Sequence, residues 1–311
     1  MKVLVAGGSG VVGSALLPTL INAGHTAIGL ARSEDGTQRI RAGGADAVVV
    51  DALDGAALAA AVRRIDPEVV INQLTAIPQR LSPRRLARQF ELTNRLRTEG
   101  TRNLLAAGKA ADVRLHVAQS IAFAYETRGP AIKNEDASLY LSAPASFRPI
   151  VQAVADLETQ TLEAGGVVLR YGQLYGPGTA YARDGDISRQ IARRRLPIVG
   201  QGRGLFSFLH LQDAAAATVA ALGQSSPGVY NVTDDEPASS AEWITELASL
   251  LGAKPPRRVP APVARLAAGR WAVEYMDQLR GASNALAKST FGWEPTLPRW
   301  RDGFKAELAA P

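Results

Sequence analysis

Three glycines near the N-terminus have the spacing of a phosphate-binding loop. They follow the apolar run Val3-Leu4-Val5 and precede a helical stretch. There the first glycine permits a tight turn, the second lets backbone N–H groups approach a pyrophosphate, and the third lets helix and strand pack closely. The helix dipole also favours an anion. A glycine turn without a ligand is the alternative interpretation. The predicted dinucleotide loop comprises Gly7, Ser9, Gly10, Val11, Val12 and Gly13.

The end of the second predicted strand bears on cofactor choice. An acidic side chain there would bind the ribose 2′-hydroxyl of NAD, whereas an arginine would accept the 2′-phosphate of NADP. This chain has Arg32 and Ser33, a forked donor and a hydroxyl. We therefore predict NADP as cofactor, with NAD less favoured. If Glu34 neutralises Arg32, that arginine is merely an exposed side chain.

Further groove residues follow the third and fourth predicted strands. Asp51 and Ala52 would face the adenine, although Asp51 could simply be a polar strand end. Gln73, Leu74 and Thr75 lie where open α/β sheets bind ligands, at the carboxyl ends of the strands. These residues are therefore predicted to line the cofactor groove.

The elements that position these residues alternate regularly. Short valine- and isoleucine-rich runs alternate with longer amphipathic stretches as far as Leu169. Apolar runs without polar alternation are typical of strands buried on both faces of a parallel sheet. The predicted fold class is α/β, a doubly wound parallel sheet of the Rossmann type with a smaller C-terminal substrate lobe.

The regular alternation ends after Leu169, in a segment rich in glycine, proline, tyrosine and arginine. A helix capped by Asp213 and a strand at Val229 to Val232 are predicted to return to the first domain. The dinucleotide-binding domain is therefore assigned to residues 1–170 and 211–232. The substrate-binding lobe is assigned to residues 171–210 and 233–311.

Several motifs together resemble the extended short-chain dehydrogenase/reductase family, also called the NAD-dependent epimerase/dehydratase family. They are the glycine loop, Gly100 to Leu105, Arg170 to Gly178, His210 to Asp213 and Phe291 to Pro295. The resemblance covers almost the whole chain. It implies that Tyr171, Gly172 and Leu174 pass the nicotinamide. It also suggests a homodimer through helices at Pro83 to Ala107 and Ile150 to Glu163.

The chain departs from this family where the proton chemistry is expected. The family has a serine after the fifth strand, and a tyrosine and a lysine four residues apart on the next long helix; the lysine lowers the phenol pKa. Ser120 matches the serine, but Ile150 and Val154 stand at the tyrosine and lysine positions. The sequence therefore identifies an atypical member that lacks the pair.

Three explanations remain for this departure. Tyr125 could act as the acid beside Ser120, or could merely pack in its loop; Tyr140 lies farther along the same segment. The reaction could instead add hydride to a conjugated C=C, with Ser120 and Tyr125 stabilising the enolate by hydrogen bonds. Finally, the protein could bind cofactor without turnover.

The substrate expected from the sequence is small and fairly apolar or aromatic. Phe206 stands where nucleotide-sugar members of the family have a substrate-binding arginine, although Arg203 is close by. Phe208, Tyr171 and Tyr181 could complete an aromatic pocket. The alternative is that the two phenylalanines lie on the buried face of a strand.

Composition excludes several other classes of function. The chain of 311 residues has no cysteine, so disulfides and thiolate sites are absent. His25, His116 and His210 lack metal-ligand spacing, and no metal is expected. A net charge of +6 is dispersed apart from Arg193 to Arg195, a weak nucleic-acid signal. We found no signal peptide and no membrane span, which predicts a cytoplasmic protein without nucleic-acid or membrane partners.

The leading functional prediction is an NADP-dependent oxidoreductase that acts on a small carbonyl or enone substrate. Ser120 and Tyr125 are its predicted catalytic residues. The alternatives are a redox-neutral epimerase, isomerase or lyase, and a non-catalytic NADP sensor.

Overall fold

The structure, a computed structural model, describes residues 1–223 and 226–309. Its strands within these ranges are β1 (Lys2–Ala6), β2 (Thr26–Ala31), β3 (Asp46–Val49), β4 (Val69–Asn72), β5 (Leu115–Ile121), β6 (Ile132–Lys133), β7 (Val167–Tyr171), β8 (Gln173–Tyr175), β9 (Ile198–Val199), β10 (Leu205–Phe206), β11 (Phe208–His210), β12 (Gly228–Val232), β13 (Ala238–Ser239), β14 (Arg258–Val259) and β15 (Gly281–Ala282).

The helices are α1 (Val11–Asn22), α2 (Glu34–Ala42), α3 (Gly55–Ile65), α4 (Leu86–Gln89), α5 (Glu91–Arg95), α6 (Thr101–Lys109), α7 (Arg148–Glu163), α8 (Asp186–Ala192), α9 (Leu211–Ala220), α10 (Ser240–Leu250), α11 (Ala261–Ala268), α12 (Arg270–Asp277), α13 (Ala285–Phe291) and α14 (Trp300–Ala309). A π-helical turn, Leu96–Gly100, joins α5 to α6, and short 3₁₀ turns cover Pro83–Arg85 and Ala221–Gly223. Within the described ranges, no helix is long and apolar enough to cross a membrane.

Seven parallel strands form the central sheet, in the order β12-β7-β5-β4-β1-β2-β3. The order reverses between β1 and β4, which places a crevice at the carboxyl ends of these two strands. Strands β4 and β7 are buried along their whole length, as the valine-rich runs predicted. The predicted doubly wound parallel sheet is confirmed.

Apolar cores cover both faces of the sheet. On one face, α1 and α9 pack over β1 and β7; on the other, α3 and α6 pack over β4. A third core, rich in aromatic rings, fills the lobe formed by α8, α10 and α14. Because each core covers a different surface, the strand ends at the crevice are held from both sides of the sheet.

The C-terminal segment does not lie wholly in the lobe to which the sequence assigned it. Helix α13 packs against β12 and α9, and the rings of Phe291 and Tyr230 lie 4.5 Å apart. Trp293 belongs to the same core as α1. The chain therefore returns to the dinucleotide-binding domain near residue 285 before α14 closes the lobe.

Candidate active site

The glycine loop lies between β1 and α1, and its backbone excludes larger side chains. Gly7 has a φ of 90°, and a Cβ there would lie 2.6 Å from the Gln73 carbonyl oxygen. A Cβ on Gly13 would lie 2.5 Å from the Gly8 carbonyl oxygen. Within the described chain no side chain caps α1, so the N–H groups of its first turn are available to an anion. This is the geometry that a pyrophosphate site requires.

A groove of about 600 Å³, open to solvent, runs from this loop across the ends of β2, β3 and β4. The predicted residues that line it are Gly7, Ser9, Gly10, Arg32, Ala52, Gln73, Leu74 and Thr75. Sequence reasoning missed Leu30, Ala31, Val50 and Leu96, which complete the lining. The first three are strand-end residues that the same carboxyl-edge argument could have found. Leu96 comes from the distant π-helical turn.

The remaining predicted loop residues lie beside the groove. Val11 is exposed at the start of α1, whereas Val12 and Gly13 are buried beneath the loop. Asp51 accepts a hydrogen bond from the Leu53 backbone N–H at 2.9 Å, so its carboxylate holds its own turn. This contact agrees with the alternative interpretation of Asp51 as a polar residue at a strand end.

Arg32 is exposed in the groove wall, and no hydrogen bond or ion pair engages its guanidinium within the described residues. The carboxylate of Glu34 accepts a hydrogen bond from Thr37 Oγ1 at 3.1 Å and does not pair with Arg32. Ser33 caps α2 by accepting from the Gly36 N–H at 3.3 Å, while its hydroxyl hydrogen remains available. The objection that Glu34 neutralises Arg32 is therefore removed.

The Tyr171 side chain faces the core and not the nicotinamide end of the groove. Its hydroxyl contacts Thr218 and accepts a hydrogen bond from Gln73 Nε2 at 3.1 Å, and burial raises its pKa to about 12. Gly172 packs against the backbone of Ser207, and Leu174 is half-buried against the core of the sheet. The expected contact of these side chains with the nicotinamide stays a prediction, and for Tyr171 the geometry disfavours it.

Ser120 and Tyr125 are brought together by one buried ion pair. Ser120 Oγ donates to Glu158 Oε1 at 2.5 Å, and Arg170 Nη2 donates to Glu158 Oε2 at 2.6 Å. Arg170 Nη1 also donates to the Tyr125 hydroxyl at 2.8 Å, which in turn donates to Asn231 Oδ1 at 2.6 Å. Burial raises the Tyr125 pKa, an effect that Arg170 partly offsets. Both hydroxyls are thus engaged in internal hydrogen bonds, which favours a structural role over proton donation to a substrate.

Ile150 and Val154 are buried on α7 in an apolar cluster. This cluster also contains Ile121, which directly follows Ser120 and was not singled out from the sequence. Its other buried members are Leu86, Phe90, Ala124, Tyr140, Ala143, Phe147, Val151 and Trp271. The positions where the family resemblance implies a phenol and an ammonium group are therefore occupied by apolar residues of a buried core cluster.

The aromatic pocket inferred from four ring residues is a misassignment. Phe206, Phe208 and Tyr181 pack against one another and against Trp243 in the core of the lobe, and Tyr171 lies in the core of the sheet. All four are at most 5% exposed. The alternative placed the two phenylalanines on the buried face of one strand; both are buried, but they lie in β10 and β11, where Ser207 and Leu209 are buried as well.

Asp213 is not the cap of α9. His210 caps that helix by accepting from the Gln212 N–H, and its Nε2 lies 3.0 Å from Glu307. Asp213 instead accepts from the backbone and hydroxyl of Thr296, 83 positions away. It therefore attaches the C-terminal segment to α9.

The histidines show no metal-ligand arrangement within the described residues. His116 is buried in β5, where burial lowers its pKa to about 4. A neutral structural histidine fits this environment.

Comparison with known proteins identifies the family. The profile of the NAD dependent epimerase/dehydratase family matches residues 3–233. The chain belongs to this family. It is also 46% identical to a Streptomyces 3-diazoavenalumate denitrifying reductase, over 99% of this chain and 100% of the relative. This protein is accordingly an NAD(P)-dependent oxidoreductase.

Two further matches are more distant. The chain is 27% identical to a 4-hydroxy-2-methyl-3-oxo-4-farnesyl-3,4-dihydroquinoline-1-oxide ketoreductase of Stigmatella aurantiaca, over 96% of this chain and 88% of the relative. The fold of this chain resembles that of a Thermotoga maritima UDP-glucose 4-epimerase, with a TM-score of 0.79 and 20% identity over 99% of this chain and 98% of the epimerase. It also resembles an NAD-bound dTDP-glucose 4,6-dehydratase of Streptomyces venezuelae, with a TM-score of 0.79, 18% identity and coverage of 99% and 96%.

Proposed function

We propose that this protein is an NADPH-dependent reductase that removes a diazo group from a small aromatic substrate. The observation that carries the proposal is that Ile150 and Val154, buried among apolar side chains, stand where the family resemblance implies proton-transferring groups. A denitrifying reduction does not need such groups. The full-length relative at 46% identity is named for this kind of reaction.

The choice of NADPH rests on the exposed, unpaired guanidinium of Arg32 in the groove wall. Ser33 adds a hydroxyl beside it, and Ala31 precedes it where an acidic residue would select NAD. Several solved structures of this fold contain NAD, but their identity to this chain is at most 22% and reflects the fold alone.

Different residues of this chain bind different parts of the cofactor. The first turn of α1 holds the pyrophosphate through backbone N–H groups, and Arg32 holds the 2′-phosphate. Gln73, at the end of β4, is only 4% exposed, and its Oε1 has no hydrogen-bond partner within the described residues. A ligand N–H or O–H would satisfy this acceptor. When bound, the reduced nicotinamide supplies a hydride.

The proposed reaction needs no proton from an acidic group of the enzyme. Hydride adds to the terminal nitrogen of an aryl diazonium ion and gives a neutral aryl diazene. The C–N bond then breaks, dinitrogen leaves, and the hydrogen ends on the ring carbon. Ile150 and Val154 supply no acid or base, and this reaction does not need one from them. The tyrosine–lysine pair of the family is dispensable in such a reaction.

Reduction of a ketone or enone is the second candidate, favoured by the Stigmatella relative. A ketone oxygen needs a proton during hydride transfer. Ser120 and Tyr125, the predicted donors, are engaged with Glu158, Arg170 and Asn231. For such substrates they would have to leave these bonds, which makes this candidate weaker.

The test is a turnover assay with NADPH and an arenediazonium salt labelled with ¹⁵N. We expect loss of NADPH absorbance, release of labelled dinitrogen and, with NADPH deuterated at C4, deuterium on the ring carbon. Heat-denatured protein controls for uncatalysed reduction. Turnover of ketones or enones alone would replace the proposal by the second candidate, and no NADPH consumption with any substrate would refute both.

A further inference from the structure

Arg97 lies in the π-helical turn between α5 and α6, and its guanidinium has no hydrogen bond or ion pair within the described residues. The residue is 4% exposed, and its Nη1 is buried without a partner. Burial lowers its pKa to about 10, so it stays charged at neutral pH. An unpaired buried charge costs several kcal/mol, on the order of the penalty for desolvating an ion. Because this cost is large, we infer that the guanidinium has a binding partner outside the chain.

The carboxylate of Glu158 acts electrostatically on Arg97, but it is already paired with another arginine. Glu158 accepts hydrogen bonds from Ser120 and pairs with Arg170. Glu158 thus acts on two buried guanidinium groups but pairs only with that of Arg170. The buried group of Arg97, Arg170 and Glu158 therefore has one excess positive charge.

The π-helical turn that carries Arg97 packs against α7. Gln160 of α7 donates from Nε2 to the Thr98 carbonyl oxygen at 3.4 Å, one residue after Arg97. Glu158, also on α7, is close enough to act electrostatically on the Arg97 guanidinium. Val154 lies one turn before Glu158 on the same helix.

Helical side chains lean toward the N-terminus, so the Arg97 side chain leans toward the turn that contains Asn94. Val154 stands where the family has its lysine, and a valine leaves the volume of the lysine head group to another side chain. Asn94 Oδ1 is also buried without a partner. A donor and an acceptor are thus both unsatisfied within one turn of a helical segment that packs against α7.

The same turn adjoins the cofactor groove. Leu96 lines the groove, and Thr93 Oγ1 accepts a hydrogen bond from the Ala76 N–H at 3.1 Å, directly after the groove residues that follow β4. Breaks in regular helix such as this π-helical turn occur frequently at functional sites.

We propose that Arg97 provides the cation that α7 lacks, and that with Asn94 it binds the oxygens of the nicotinamide riboside. The guanidinium donates to a ribose oxygen, and Asn94 Oδ1 accepts from a ribose hydroxyl. This inference rests on the proposed cofactor site but not on the proposed substrate.

The decisive test compares a whole cofactor with a half cofactor by direct binding. Arg97→Met keeps the length of the side chain and removes its charge and donors. We expect NADPH to bind at least tenfold more weakly, while adenosine 2′,5′-bisphosphate, which lacks the nicotinamide riboside, binds as to the unaltered protein. Equal weakening of both ligands, or of neither, would overturn the inference.

Two further measurements separate binding from structure. Because Arg97→Met removes an unpaired buried charge, the melting temperature without cofactor should stay the same or rise, whereas a structural role predicts a fall. Adding Val154→Lys to Arg97→Met should restore NADPH affinity by returning a cation to α7. Should the methionine variant fold poorly, Asn94→Leu tests the same site, with the same selective loss of NADPH expected. If the unaltered protein binds neither NADPH nor NADH, the proposed function fails at the cofactor, a result distinct from the failure of Arg97 alone.

Discussion

Replacing Arg32 by glutamine tests the assignment of NADPH directly. The substitution keeps a polar side chain of similar reach and removes the charge that faces the 2′-phosphate. A charge-assisted hydrogen bond contributes about 1.5–3 kcal/mol. Because Arg32 is exposed and solvent screens it, we expect a loss of about 2 kcal/mol, or roughly 30-fold in Kd for NADPH.

Calorimetric titration of NADPH and NADH into the same protein gives the measurement. The affinity for NADH should be unchanged, because NADH has no 2′-phosphate. The loss for NADPH should shrink at high salt, since charges in contact with solvent are screened within about 8 Å at 0.15 M ionic strength. Arg39→Gln, an exposed arginine of α2 outside the groove lining, controls for net charge. Equal losses for the two cofactors would refute the reasoning.

Three more outcomes follow from the described contacts. Gly7→Ala should abolish NADPH binding, because the new Cβ would lie 2.6 Å from the Gln73 carbonyl oxygen. Gly24→Ala is the control: Gly24 also has a positive φ, 82°, but no atom lies within 4 Å of its Cβ position, so NADPH binding should be retained. Titration of each variant with NADPH distinguishes the two outcomes. Glu158→Gln should lower the free energy of unfolding in urea by about 3–5 kcal/mol, as a buried charge loses its partner, and a loss under 1 kcal/mol would contradict this. Burial favours the neutral form of His116 in the folded protein and lowers its pKa to about 4. The free energy of unfolding should therefore be highest above pH 6.5 and fall by on the order of 3 kcal/mol as the pH drops to 4. His116→Asn should make this decline shallower.

The parts of the fold that local sequence determines could be predicted. The glycine loop, the buried valine runs and the Arg32 position depend on neighbours a few residues away, and the structure places them as expected. Much of the groove followed from one general rule about the carboxyl ends of parallel strands. No such rule supplies Leu96, which reaches the groove from a different helix.

The errors arose where a side chain has its partner far along the chain. Asp213 has the sequence of a helix cap, but its carboxylate holds Thr296. Tyr125 has the position of a proton donor, but it bonds to Asn231, more than a hundred positions away. Arg97 gave no sequence signal, because only the packed structure shows that its buried Nη1 has no partner among the described residues. Polar groups of this kind depend on tertiary packing, which no local pattern records.

The hydrogen bond between Tyr125 and Asn231 also bears on how the chain folds as it is made. Arg170 leaves the ribosome sixty-one residues before Asn231, which at about 5–20 residues per second is a delay of roughly 3–12 seconds. During that interval β7 is an open edge of the sheet, and an open edge can pair with another chain. Docking of β12 covers the edge of β7 and supplies Asn231 as the acceptor for the Tyr125 hydroxyl in one event. Nascent chains that stall before residue 232 should therefore be especially prone to aggregate.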